Sequence, residues 1–332
     1  MSKTTVPIID LQPYFSGNAD GRASVARAVD EACRNIGFLV VTGHQIPDEL
    51  LARVSTLSHA FFALPLDEKR RVDRPRPDMV RGYSAVAEES LSYSLEEAAP
   101  GDLKESFSIG PIDVPDEPYY TSPMAGPHFA PNVWPQNEAF KAAYKQYFEA
   151  MSDLSRSLMR IFALALAMPE TFFDDRIDRH ISMFRTLSYP PLSEAALPGQ
   201  LRASAHSDYG SLTIVRPDGP GLQVSHRGRW VDVPAVPGGL VVNLGDLMAQ
   251  WTNDRWVSTL HRVVNPALDS AENRRRLSLV FFHQPNYDAI ITCLPNCKAP
   301  GSSDKYAPIS SGDHLVSKFV KQTTFGGTKQ AA

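Results

Sequence analysis

The chain holds only 3 cysteines in 332 residues. Cys33, Cys293 and Cys297 are too few for a disulfide framework, so a reducing, cytoplasmic setting is the default expectation. The CxxxC spacing of the last two has no second pair and no nearby histidine to complete a zinc site. Long apolar runs are missing as well. No stretch reaches the roughly 18 residues of a membrane span, and the greasiest one, from Leu158 to Met168, is broken by Arg160. The opening MSKTTVPIIDL lacks the apolar core of a signal peptide. There is no basic run, and the net charge is −4, so neither nucleic acid nor an anionic membrane is expected as a partner. No repeat or low-complexity segment is visible. The composition, 43% hydrophobic and 21% charged, supplies the apolar material for a large core.

Residues 1–135 read as a helical and loop-rich region. VPIIDL and FLVVTG have strand character, residues 21–35 have helical periodicity, and Pro47 and Pro65 each open a further helix. Residues 72–135 are rich in Pro, Gly, Ser and charge, with a brief strand at SFSIG; loops of that length in a compact domain are usually functional. Residues 136–332 begin with a long helix, stopped by Pro169, whose Phe140, Tyr144, Tyr147, Phe148, Met151, Leu154 and Leu158 fall at helical spacing. Short β-rich runs follow: MFRTLSY, SLTIV, LQVS, WVDV, LVVNL, HRVV and LSLVFF, separated by Pro and Gly turns. Such a series predicts a sandwich or barrel. A last helix is expected near Asp313 to Lys321. The fold class is mainly β with flanking helices, and the two regions are expected to form one structural unit.

Within AHSDYGSLTIV, His206 and Asp208 stand two residues apart. On an extended strand, residues i and i+2 share a face, so both ligand atoms can converge on one point. His261, in STLHRVV, offers a third ligand. Two histidines and a carboxylate form the facial triad of non-haem iron(II) oxygenases, which leaves three positions of an octahedral metal free. An HxD pair alone is weak evidence, since both residues are common on surfaces. The run RRRLSLVFF strengthens it. Arg276 and Ser278 again share a strand face, where a guanidinium beside a hydroxyl makes a carboxylate clamp. Alone, the pair reads as an edge-strand arginine in a basic turn; after an HxD and a distal histidine in that order, the clamp is the better reading.

These residues carry a resemblance. HSDYGSLTIV, STLHRVVNP and RLSLVFF resemble the iron(II)/2-oxoglutarate-dependent dioxygenases of the isopenicillin N synthase-like family, as do VPIIDL, GFLVVTGH, SYPP and GGLVVNLGDLMAQWTND. The resemblance implies a double-stranded β-helix, or jelly roll, as the core. It implies Fe(II) held by His206, Asp208 and His261, with 2-oxoglutarate and dioxygen as co-substrates. Arg276 and Ser278 match the pair that holds the distal carboxylate of 2-oxoglutarate, and Tyr189 matches a tyrosine donating to it. Leu187 and Ser188 stand where many plant members have Asn and Tyr, so an asparagine contact is not expected. The implied reaction couples oxidative decarboxylation of 2-oxoglutarate to hydroxylation, or desaturation, of a small organic molecule. Two alternatives stay open: an oxidase of the same fold that does not use 2-oxoglutarate, of the isopenicillin N synthase or ethylene-forming type, and a non-catalytic ligand-binding barrel. The sequence sets no oligomeric state.

Strand parity also suggests a substrate wall. If Arg276 and Ser278 point inward, so do Val280 and Phe282; if Tyr189 does, so do Leu187, Arg185 and Met183. Arg185 and Phe282 are therefore substrate-pocket candidates, against the plainer readings of a buried ion pair with a barrel carboxylate and of core packing. Tyr83 and Phe107, in the loops at 81–110, are candidates for a lid.

Overall fold

Two short strands and four helices begin the chain: β1 (Ile8–Asp10), α1 (Gln12–Phe15), α2 (Ala19–Asn35), β2 (Phe38–Thr42), α3 (Asp48–Phe62) and α4 (Leu66–Arg70). This computed structural model describes residues 5–76, 79–91, 100–298, 301 and 303–319. The region read as loops holds β3 (Gly82–Ser84), β4 (Glu105–Ile109) and α5 (Pro118–Thr121). Asn137 caps the long α6 (Glu138–Ala165), its side chain accepting from the Phe140 amide at 3.0 Å. After α7 (Asp174–Ile177) come β5 (Met183–Tyr189), β6 (Ala203–His206), β7 (Leu212–Pro217), β8 (Leu222–His226), β9 (Arg229–Asp232), β10 (Leu240–Leu244), α8 (Asp246–Trp251), β11 (His261–Val263) and β12 (Arg276–His283). Residues 311–319 are helical, and the expected end of that helix at Lys321 lies outside the described residues.

The strands form an eight-stranded sheet, in the order β1-β2-β10-β7-β12-β5-β4-β3, and a four-stranded sheet, β6-β11-β8-β9. Their inner faces meet. Phe38, Val40, Tyr189 and Val241 of the large sheet share one buried cluster with Ala203, Leu222, Val224 and Val263 of the small one. This is the jelly-roll core. The outer face of the large sheet is covered by α2, α3 and α6, whose apolar sides supply a larger cluster. No helix among the described residues is long and apolar enough to cross a membrane.

Strand β5 shows how the layers divide. Phe184, Thr186 and Ser188 are fully buried, while Met183, Arg185 and Leu187 are only half-buried. The first set faces the helical layer: Tyr144 and Tyr147 pack on Phe184 at 4.9 and 4.6 Å between ring centroids, and the Tyr144 and Thr186 hydroxyls are 2.9 Å apart. The second set faces the barrel interior. On β12, Phe281 is completely buried and its neighbour Phe282 half-buried, for the same reason.

Register also corrects one expectation. Tyr83 pairs with Phe107, and Phe107 with Thr186, so both aromatics point outward with Thr186. Phe107 lies among Phe61, Phe140 and Tyr144, with centroids 5.2, 5.3 and 5.8 Å away. The Tyr83 hydroxyl donates to Glu105 Oε2 at 2.7 Å. Neither residue lids the barrel; they bind β3 and β4 to the helices. Phe107→Ala should therefore cost about 3–5 kcal/mol of folding stability by urea unfolding. Unchanged stability with altered substrate selectivity would restore the lid.

Candidate metal and co-substrate site

The small sheet brings the two histidines together. His206 and His261 are directly paired across β6 and β11, with ring centroids 4.2 Å apart. A register shift follows at once: Ala203, not Ser204, pairs with Val263. Asp208 lies two residues beyond the strand, so the shared face that parity predicts for the HxD pair is completed by the segment after β6. Asp208 Oδ1 is 3.8 Å from His206 Nε2 and 3.7 Å from His261 Nε2. Ligand atoms from all three residues fall within 4.8 Å of one another.

Each imidazole is oriented through its other nitrogen. His206 Nδ1 lies 2.8 Å from the Ser204 carbonyl oxygen, and His261 Nδ1 lies 3.1 Å from that of Thr259. With Nδ1–H donating there, both Nε2 lone pairs face Asp208. Phe38 packs edge-on against His261 at 5.2 Å. Asn243 Nδ2 donates to Asp208 Oδ2 at 2.6 Å, which fixes that carboxylate. Burial, reinforced by the His261 charge, pushes His206 down to about 4, so it is neutral near pH 7. Burial raises the Asp208 carboxyl, but the two histidines and Asn243 outweigh this and hold it below the usual carboxylate range. Two imidazoles and one carboxylate, buried and preoriented, are a donor set that fits iron(II).

Arg276 and Ser278, expected from the sequence to form a carboxylate clamp, sit on the large sheet. Arg276 pairs with Tyr189, and Ser278 with Leu187, as parity requires. Arg276 Nε donates to the carbonyl oxygens of Gly219 and Pro220 at 3.2 and 2.8 Å, and Nη1 donates to Ser278 Oγ at 2.8 Å. Its guanidinium lies 5.1 Å from the Tyr189 ring centroid. Nη2 is buried and has no partner. Arg276 is 3% exposed and meets no carboxylate, an expensive state unless a ligand supplies the acceptor. A carboxylate fits that vacant donor.

Arg185 does find a carboxylate. Its Nη2 donates to Glu89 Oε2 at 2.5 Å and to Ser106 Oγ at 2.8 Å, while Nε stays buried and unpaired. Glu89 belongs to a connecting loop, not to a barrel strand, and also accepts from Arg74. Desolvation raises the Glu89 carboxyl, but Arg185 and Arg74 overcome it and hold it at about 2. Beside it, buried Lys104 pairs with Asp102, which accepts from the Ser204 amide and hydroxyl at 2.9 and 2.6 Å. Sequence reasoning missed Asn243, Glu89, Asp102 and Lys104. Only Asn243 left a signal: a polar residue inside the apolar run LVVNL.

Comparison with known proteins agrees with this geometry. Residues 6–137 match the family described as non-haem dioxygenase in morphine synthesis N-terminal, and residues 180–285 match the 2OG-Fe(II) oxygenase superfamily. The 2-oxoglutarate-Fe(II) type oxidoreductase hxnY of Emericella nidulans is 36% identical over 329 residues, covering 97% of this chain and 91% of that one. The chain belongs to the iron(II)/2-oxoglutarate-dependent dioxygenases. A homoarginine-6-hydroxylase of Oryza sativa subsp. japonica is 32% identical, covering 95% and 96% of the two chains. A full-length Neurospora crassa enzyme crystallised with alpha-ketoglutarate superposes with a TM-score of 0.83 at 31% identity, covering 95% of each chain. The protein is thus an enzyme of 2-oxoglutarate-dependent oxygenation, with iron and 2-oxoglutarate as its cofactors.

Two outcomes test the site. Asn243→Ala should weaken iron(II) binding about 10- to 100-fold in anaerobic titration while leaving the fold intact; unchanged affinity would mean that Asp208 needs no external orientation. The second concerns pH. Burial holds His128, His180, His206 and His314 at about 4, against about 6.5 when unfolded. Below about 6.5 the unfolded chain takes up protons that the folded chain refuses, so metal-free stability should fall as pH drops from about 6.5 toward 4. Thermal denaturation with a flat midpoint across that range would contradict this.

Proposed function

We propose that His206, Asp208 and His261 hold the iron, and that Arg276, Ser278 and Tyr189 seat the distal carboxylate of 2-oxoglutarate. The observation that carries the reading is the unpartnered Nη2 of Arg276, buried in the same barrel interior as the histidine–aspartate cluster. Iron bound there supplies activation of dioxygen. The chain's own groups do the rest. Arg276 and Ser278 set the length at which the co-substrate reaches the metal, Tyr189 closes the clamp from the neighbouring strand, and the apolar barrel wall keeps water out.

The same reading makes the half-buried row of Arg185 and Phe282 one wall of the prime-substrate pocket. The unpaired Arg185 Nε and the partial exposure of Met183, Arg185 and Phe282 support it. The reaction is hydroxylation, or desaturation, of a small organic molecule. Named relatives include a homoarginine-6-hydroxylase and a validamycin A dioxygenase, and a Neurospora crassa structure holds thymine with alpha-ketoglutarate. A reducing, cytoplasmic location and a single structural unit spanning residues 1–135 and 136–332 complete the proposal; the low cysteine content supports the first.

Arg276→Ala should raise the apparent KM for 2-oxoglutarate at least about tenfold, since a charge-assisted carboxylate contact is worth roughly 1.5–3 kcal/mol, with a smaller rise for Tyr189→Phe. An unchanged 2-oxoglutarate dependence would refute the clamp. Arg185→Ala and Phe282→Ala should reduce product formation far more than uncoupled 2-oxoglutarate decarboxylation. Equal loss of both activities would make the two residues structural.

A further inference from the structure

Cations inside this protein fall into two groups. Buried Lys69 and Lys104 and half-buried Arg185 each meet a carboxylate: Glu105, Asp102 and Glu89. Among the described residues, Arg81, Arg202 and Arg276 are buried to within 6% exposure or less and form no ion pair. Arg202 lies in the field of Arg276, Tyr189 and Asp218, so it belongs to the co-substrate end. Arg81 does not. Its Nη1 donates to the Val80 carbonyl oxygen at 2.8 Å and its Nη2 to that of His128 at 2.7 Å, while Nε is buried and has no partner. Burial alone perturbs it, down to about 10, with no nearby carboxylate to offset the cost. This is the signature of Arg276 in a second place: a guanidinium held only by carbonyl or hydroxyl oxygens, with one N–H unanswered.

Its position gives the signature a meaning. A Cβ built on Gly110 would fall 1.9 Å from Arg81 Nη2 and 2.1 Å from Cζ, so the guanidinium lies flat on the strand backbone, in space that only glycine leaves open. Gly110 follows Ile109, the end of β4, which pairs with Phe184, and its N–H and carbonyl bond to the Asn132 side chain; the residue next to Phe184 on β5 is Met183. By alternation it shares the inner face with Ser106 and Ser108. Met183 pairs with Phe282, Phe282 with Thr213, Thr213 with Asn243, and Asn243 with Phe38. Asn243 touches Asp208, and Phe38 touches His261. Arg81 therefore stands at one end of a single cross-strand row whose other end is the metal cluster. Four strand spacings of about 4.8 Å separate Gly110 from Asn243 along the sheet, less across its curvature.

We propose that Arg81 is the anchor for a carboxylate of the prime substrate, so that the enzyme acts on a small organic acid whose reacting carbon lies several bonds from that carboxylate. The proposal rests on reading the barrel mouth as the prime-substrate pocket. An anion there supplies the charge and the acceptor that Arg81 lacks, through a charge-assisted contact whose donors are already fixed. Phe282, along the same row, provides apolar surface between the two ends.

The test is a panel of phenylacetate, benzoate and the proteinogenic L-amino acids, each beside its primary carboxamide, scored by succinate formed above the substrate-free rate with iron(II) and 2-oxoglutarate. Stimulation is the readout because acids that merely compete for Arg276 inhibit. In the wild type, at least one acid should stimulate turnover while its amide does so at least about tenfold less effectively. Arg81→Gln should raise the half-saturating concentration of that acid at least about tenfold and bring it close to the amide's. Gly110→Ala, which displaces the guanidinium without removing its charge, should erode the same preference, and it stands in if Arg81→Gln does not fold. The assignment is overturned if no acid exceeds its amide, or if the preference survives both substitutions. Consumption of 2-oxoglutarate by the wild type without added substrate reads the co-substrate assignment separately: its absence would count against the clamp at Arg276, not against Arg81.

Discussion

The register of β12 between β5 and β7 sets the chemistry of this barrel. Arg276 pairs with Tyr189 on one side, and Ser278 with Pro217 on the other. A slip of one residue would turn Arg276, Ser278 and Phe282 out toward α6 and bring Leu277, Leu279 and Phe281 into the interior. What prevents the slip is the outer layer. Phe281 packs on Phe148 at 5.2 Å, and Leu277 and Leu279 are buried in the large cluster beneath the helices. The helical wrapping that occupies much of the chain is thus what aims the site, although it supplies neither the metal cluster nor the clamp.

Charge is arranged to match. On the outer side of the sheet, Glu105 collects Lys69, Tyr83 and Arg275, so a buried carboxylate is fully answered. On the inner side, Asp102 is saturated by Ser204, Lys104 and the Leu91 amide, and ties the loop ahead of β4 to the strand that carries His206. Inside the barrel the carboxylates are satisfied, while donors at Arg276, Arg185 and Arg81 are left over, as is the Asn243 Oδ1 acceptor beside Asp208. An interior built this way is completed by ligands that bring oxygen acceptors, and 2-oxoglutarate is one such ligand.

Much of this was legible in the sequence because strands have a period of two. The inward set of Arg276, Ser278, Val280 and Phe282, facing Tyr189, Leu187, Arg185 and Met183, follows from counting alone, and the register pairs those residues as expected. Helical spacing located α6 equally well, since its apolar stripe has one continuous partner. Counting fails where the partner is distant or the strand is irregular. Tyr83 and Phe107 sit on strands of three and five residues whose facing depends on Phe61 and Phe140, contacts that no local pattern encodes. Asp208 reaches the metal cluster from beyond the end of β6. Arg185 finds its carboxylate on a loop, and the isolation of Arg81 is visible only once its surroundings are known.

The central claim is that one barrel interior holds the metal cluster and the carboxylate clamp a single co-substrate apart. Two ligands that contact each other in one site change each other's affinity by the same factor in both directions, and direct coordination makes that change a tightening. Anaerobic equilibrium titration of the metal-free protein with iron(II), with and without 2-oxoglutarate, measures this directly. The account predicts one iron per chain, bound more tightly when 2-oxoglutarate is present, with 2-oxoglutarate affinity raised equally by iron. Iron affinity that ignores 2-oxoglutarate, or a stoichiometry other than one, would contradict it.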